Sequence, residues 1–315
     1  MKQMRLWLDG LLLGLLLLAA CSYADPKTPA PTAPVDPPTA TPLPAPPTAT
    51  PEPLAALVNN EPILLADYER QVARIETSMI AAGQDPNSAE GQAALTADRA
   101  WVLNILIEQR LIVQAARAAG ITVTDAEVDA NIQALSAEVG EASFQQWLND
   151  QMMTLEELRA TLRDEMIATR ILNQVVEQVP TRAEHIQVRH ILVFTEAEAQ
   201  QILGQLQAGG DFAALAGAYS QDLNTRDNGG DLGYFPRGVL TAPEVEAAAF
   251  ELQPGQIGGI VPSNLGFHLI QVVTRTPDME VSPENLRLLQ DKAVRDWLDG
   301  LRGAASIQRF VETTP

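Results

Sequence analysis

The chain has 315 residues, 21 basic against 40 acidic side chains, and a formal net charge of −19. So acidic a chain repels phosphate backbones, and no basic stripe interrupts the pattern, which argues against a nucleic-acid partner. A single cysteine rules out an intramolecular disulfide, and with only three scattered histidines neither a metal site nor a cofactor is expected.

Residues 1–20 read as a secretory leader. Lys2 and Arg5 give a basic start, an apolar run fills 11–18, and small residues precede Cys21. The run is too short for a spanning helix. Leu18-Ala19-Ala20-Cys21 resembles a bacterial lipobox, which implies cleavage before Cys21 and acylation of its thiol. Two or more acyl chains anchor a protein stably. The expected location is therefore extracytoplasmic, lipid-anchored to the cell membrane or the outer membrane. Residues 21–53 form a Pro/Thr/Ala-rich linker, with 12 prolines over 22–53. Such a stretch buries no core and stays extended, reaching on the order of 100 Å.

A short strand is expected near 54–58, then a turn at Asn59-Asn60 and a helix from Leu65 onward. Residues 98–120 read as an apolar helix stopped by Gly120. Thr124 with Glu127, and Thr154 with Glu157, carry the capping-box spacing of two further helices. The second of these runs to about Val179 and ends at Pro180. Residues 54–180 are therefore expected to be mostly helical. Trp101, Trp147 and Trp297 fall on helices and read as core or groove lining.

The pattern then changes. Residues 186–194 (IQVRHILVF) are rich in β-branched types, as a buried strand is. Two helices follow, the first closed by Gly209-Gly210. Next come a glycine-rich loop over 224–239, a helix over 242–252, and strands in GQIGGIVPS and GFHLIQVVTRT. The order describes an α+β domain with a small sheet. A helix over 282–303 and a last strand over 305–312 close the chain. His185 reads as a solvated residue before the strand. His190 and His268 sit inside apolar strands, where an unpaired ring costs free energy.

Those two histidines belong to a spaced set: the Arg189-His190-Ile191-Leu192 strand start, Phe212-Ala213, Tyr219-Ser220-Gln221-Asp222, Gly229-Gly230-Asp231-Leu232-Gly233, Phe250, and Gly266-Phe267-His268. The set resembles the parvulin family of peptidyl-prolyl cis/trans isomerases, over about residues 186–276. The helical flank resembles the N-terminal region of the SurA and PrsA class of extracytoplasmic chaperones. The resemblance implies a parvulin-like antiparallel sheet with surrounding helices over 181–278. It also implies a SurA-like helical chaperone domain over 54–180, completed by 279–315. Strand 54–58 is then expected to pair with 305–312.

It further implies a catalytic set of His190, Asp222, Ser263 and His268. A proline pocket would come from Leu192, Leu232, Phe235, Leu240, Val245 and Phe250. Counting back from Phe250 places Val245 where the family usually has phenylalanine, so a smaller ring-stacking face and weaker activity are expected. X-Pro rotation faces a barrier of about 18–20 kcal/mol and breaks no bond, so neither nucleophile nor metal is needed. The implied partners are unfolded or partly folded exported polypeptides with X-Pro bonds. A holdase that shields such chains, with the parvulin module as inactive scaffold, is the alternative.

Overall fold

The computed structural model describes residues 52–151 and 153–311. The leader over 1–20, Cys21, all but the last two residues of the proline-rich stretch, and residue 312 of the last expected strand lie outside them. The described chain clusters into two compact units, Thr124–Arg163 and a larger one made of Leu54–Val123 with Asp164 onward.

In the larger unit, β1 (Leu54–Val58) and β2 (Glu61–Leu64) form a hairpin. Asn59 and Asn60 turn it with φ of 50° and 66°, the two left-handed residues that a two-residue hairpin loop requires and that asparagine tolerates. β1 also pairs antiparallel with β7 (Ile307–Arg309), Val58 opposite Ile307, so the chain's two ends meet in one three-stranded sheet ordered β2-β1-β7. Asn59 clamps the join: its amide nitrogen donates to Ser306 O at 2.8 Å, and its Oδ1 accepts from Ser306 N–H at 2.9 Å. Helices α1 (Leu65–Ala81) and α2 (Ala89–Ala118) cover this sheet with Tyr68, Val72, Leu103 and Ile107. The expected pairing of 54–58 with the last strand forms, though that strand is only Ile307–Arg309, and β2, four residues long, was not expected. Helix α2 begins nine residues before Asp98, where Ser88 accepts from Gly91 N–H as N-cap. Trp101 on α2 is 56% exposed, so it is no core residue.

The smaller unit carries α3 (Asp125–Val139), α4 (Glu141–Asp150) and the start of α5 (Leu155–Glu177). Both expected capping boxes form: Thr124 with Glu127, and Thr154 with Glu157. Helix α4, which the sequence reading left out, buries Phe144 and Leu148.

The rest of the larger unit is built on a four-stranded antiparallel sheet ordered β4-β3-β6-β5. Its strands are β3 (Arg182–Val193), β4 (Asp231–Pro236), β5 (Val261–Ser263) and β6 (Gly266–Glu280). α6 (Glu196–Gln207) and α7 (Phe212–Tyr219) pack on one face with Ile191, Val193 and Leu269. α8 (Pro243–Glu251) packs on the other with Ile186, Val188 and Ile270. α9 (Pro283–Ala304) then leads back to β7.

Four expectations need correction here. The expected loop 224–239 contains β4 and a 3₁₀ turn, Arg226–Asn228; its glycines hide a strand that pairs with β3. Only Val261–Ser263 of GQIGGIVPS is a strand, with Ile257 making a single bridge to Gln271. β3 starts four residues before Ile186. That extension takes in His185, which is 2% exposed, so it is buried and not solvated; its Nδ1 lies 3.0 Å from Ala183 O.

Candidate active site

His190 near the end of β3 and His268 near the start of β6 sit on neighbouring strands, with His268 opposite Leu192. Both are buried. Their rings lie nearly parallel at 21°, centroids 5.6 Å apart, with the two Nδ1 atoms 3.4 Å from each other. Glycines make the backbone room. Gly230 has φ of 77°, and a Cβ there would stand 2.1 Å from His190 O. A Cβ on Gly266 would stand 2.4 Å from Val193 O.

A chain of polar contacts runs through the pair. His190 Nε2 is 2.7 Å from Asp222 Oδ2, and the Thr225 hydroxyl donates to the same oxygen at 2.5 Å. At the other end, Ser263 Oγ is 2.8 Å from His268 Nε2. Partial burial pushes the Asp222 carboxyl up, but hydrogen bonds from Thr225, His190 and the Asn224 amide outweigh it and hold it below the ordinary carboxylate range. An ionised Asp222 can only accept, so His190 carries its proton on Nε2. Burial first, then the neighbouring His190, lowers His268 to about 4. His268 is thus neutral at pH 7. Ser263 O–H then donates to the neutral His268 at Nε2, His268 Nδ1 faces His190 Nδ1, and His190 Nε2–H donates to Asp222. Each ring nitrogen of these two buried histidines then faces a polar partner.

Two hydroxyls and one carboxylate hold the site in place, and the sequence reading missed all three roles. Ser220, 2% exposed, accepts from the N–H groups of Leu192 and Asp222 and so fixes the Asp222 loop to β3. Thr225 stands three residues after Asp222, a spacing at which the two side chains meet in a turn; that signal was available. Glu246 on α8 accepts from three successive amides, Gly238 at 2.7 Å, and Val239 and Leu240 at 3.0 Å each. Nothing in the sequence distinguishes it from a solvated helix glutamate.

Of the expected pocket residues, Phe235, Val245 and Phe250 are buried in one cluster, and Leu232 and Leu240 pack against it. Leu192 stands apart from that cluster, on β3 opposite His268. The Phe235 and Phe250 rings meet edge to face at 6.2 Å. The Arg237 guanidinium lies over the Phe250 ring, 4.1 Å from its centroid. Among the described residues no cluster of His, Cys, Asp and Glu could hold a metal ion. An apolar cluster beside a buried polar chain suits a proline ring and shapes the electrostatics of its amide, without any covalent step.

Comparison with known proteins agrees with this chemistry. Residues 192–274 match the PPIC-type PPIase domain family, and residues 46–172 the SurA-like N-terminal domain family. The Foldase protein PrsA of Caldanaerobacter subterraneus is 33% identical over 265 residues, which cover 81% of this chain and 86% of that protein. Foldase protein PrsA 2 of Bacillus cereus is 31% identical over 180 residues, covering 55% and 63%. The crystal structure of the peptidylprolyl isomerase PrsA from Bacillus anthracis is 30% identical, covers 64% of this chain and 89% of its own, and aligns with a TM-score of 0.39. The chain belongs to the PrsA foldase family and is a peptidyl-prolyl cis/trans isomerase with a parvulin-type domain and a SurA-like N-terminal domain.

Proposed function

We propose that this isomerase acts on X-Pro bonds of exported polypeptides that have yet to fold, and that it does so outside the cytoplasm. The proline ring sits against Phe250, Phe235 and Leu240, with Leu232 and Val245 beside them; Leu192, apart from that cluster, lies by the histidine pair. Asp222 and the His190–His268 pair set the field around the twisting amide, and Ser263 orients His268. The single observation behind this reading is the unbroken polar chain from Ser263 to Asp222 beside an apolar cluster. Unaided X-Pro isomerisation takes tens to hundreds of seconds, so the acceleration is easily read. Equal relaxation of a short X-Pro peptide with and without the full-length protein would end this reading.

The working layout is a chaperone domain of 54–180 completed by 279–315, with the isomerase domain of 181–278 inserted. The β1–β7 pairing supports that layout, since it joins the two chaperone segments in one sheet. We also propose that Cys21 carries a lipid anchor and that residues 22–53 act as spacer. The support is the leader pattern of residues 1–21; among the described residues no helix is long and apolar enough to cross a membrane. Retention of a Cys21→Ala variant in the membrane fraction would remove the anchor.

One observation favours a holdase role alongside catalysis. α9 carries a partly buried stripe with Leu286, Leu289, Ala293, Trp297 and Leu301, and none of its residues is fully buried. Suppressed aggregation of a denatured client by an Asp222→Ala, His268→Ala variant is the expected result.

A further inference from the structure

The loop that carries Leu240 is held by two helices, and only one of them belongs to the isomerase domain. Glu246 on α8 takes the Gly238, Val239 and Leu240 amides at 2.7, 3.0 and 3.0 Å. Next to them, the Arg237 guanidinium lies 4.1 Å from the centroid of the Phe250 ring. Gly238 then meets α9. Its φ is 95°, and a Cβ there would stand 2.9 Å from Leu289 Cδ2 and 3.5 Å from Lys292 Cδ. Loop and helix thus pass so closely that no side chain fits between them. A glycine does not hold a conformation by itself, so the contacts around it must do so. The carboxylate of Glu246 ties the amides, and Leu289 supports the Cα from another direction.

α9 starts at Pro283, beyond residues 192–274 that match the isomerase domain family. Its far end is fixed to the scaffold. Leu301 packs on the cluster that holds Leu103 and Ile107, and Arg302 pairs with Glu108 on α2. Leu289 lies twelve residues before Leu301, about 18 Å along a helix. A single helix therefore links the scaffold to the loop of the proline pocket.

We propose that Leu289 is a positioning residue of the isomerase: through Gly238 it fixes the loop that presents Leu240 to the proline ring. The proposal rests on the pocket reading above, in which Leu240 touches that ring. It makes the hold on proline depend on a helix that the matched isomerase domain does not contain. Leu240 meets the ring alike in the cis, trans and twisted states, so moving it weakens all three equally. Such a loss raises KM and spares kcat.

The test measures kcat and KM of full-length protein on one short Ala-Pro peptide, at equal folded fraction. Leu289→Ala is expected to raise KM about fivefold and to change kcat by less than about twofold. Leu289→Met, which conserves volume, should return KM to the parent value. Leu301→Ala, at the scaffold end of the same helix, should lower the thermal midpoint and leave KM unchanged. A parent-like KM in Leu289→Ala, or an equal rise in Leu301→Ala, overturns the proposal. Leu240→Ala separates the two readings. It should raise KM alone, and adding Leu289→Ala should raise it little further. Full additivity of the two overturns the proposal and leaves the pocket reading standing. A Leu240→Ala variant with the parent KM sinks the pocket reading and the proposal with it.

Discussion

The two sheets of the larger unit are built on opposite principles. The sheet β2-β1-β7 is apolar throughout its core, with Ala55, Ala56 and Val58 fully buried on its central strand. Its polar contacts, such as those of Asn59 and Gln114, stay at the rim. The sheet β4-β3-β6-β5 and its helices hold all four buried polar side chains found among the described residues: His185, His190, Ser220 and His268. The first sheet joins segments more than two hundred residues apart with an apolar core, strand pairing and hydrogen bonds kept at its rim. The second accepts the desolvation of polar rings, which is tolerable only when each ring has a partner. Polar burial therefore separates the scaffold from the reacting part of one continuous unit.

The contrast can be broken in several ways. The largest effect is expected from Ala56→Asp, which places a charge in the closed scaffold core. A loss of about 3–5 kcal/mol is expected from a buried, unpaired charge, read as a drop in the urea midpoint. If the protein remains folded at low temperature, its short-peptide isomerase rate should be unaltered.

Acid should act on the other sheet. The pKa of His268 is lowered from 6.5 to about 4 in the folded protein. The unfolded chain therefore takes up this proton first, and the stability this histidine contributes is full above pH 6.5 and lost as pH falls toward 4. The whole contribution is about 3 kcal/mol. A His268→Gln variant should lose this part of the pH dependence in urea titrations. Isomerase activity should fall over the last part of the same window, because a protonated His268 no longer accepts from Ser263.

Glu246→Ala should act more mildly. It leaves the amides of Gly238, Val239 and Leu240 without their common acceptor, a change of about 1–3 kcal/mol. The expected signature is a raised KM with a smaller change in kcat, because the loop carries Leu240. Leu240→Ala should add little on top of it, and Glu246→Gln should recover part of the loss. Full additivity of the two substitutions would mean that Glu246 acts elsewhere.

Much of the second sheet was legible because its residues are specific. His190, Asp222 and His268 sit in motifs that resemble the parvulin pattern, and Ser263 matches that pattern's hydroxyl position, five residues before His268. β4 was not legible, since Asp231-Leu232-Gly233 reads as a turn until its partner β3 is known. His185 was misjudged for a related reason: a histidine beside the charged Glu184 gives no local sign that the strand begins at Arg182 and buries it. The first sheet was legible only at its ends. The Asn59-Asn60 turn and the pairing of 54–58 with the last strand were legible, but four-residue β2 carries too few side chains for a periodic signal, and tertiary pairing decides it. Glu246 was out of reach because its partners are backbone amides.

The most direct measurement is the isomerisation rate of one short Ala-Pro peptide by full-length protein and by its Asp222→Ala variant, at neutral pH and equal folded fraction. Losing a charge-assisted hydrogen bond of about 1.5–3 kcal/mol at His190 should slow the variant between about tenfold and a hundredfold, with the thermal midpoint also lowered. A variant as fast as the parent protein would show that the polar chain from Ser263 to Asp222 does not serve the reaction.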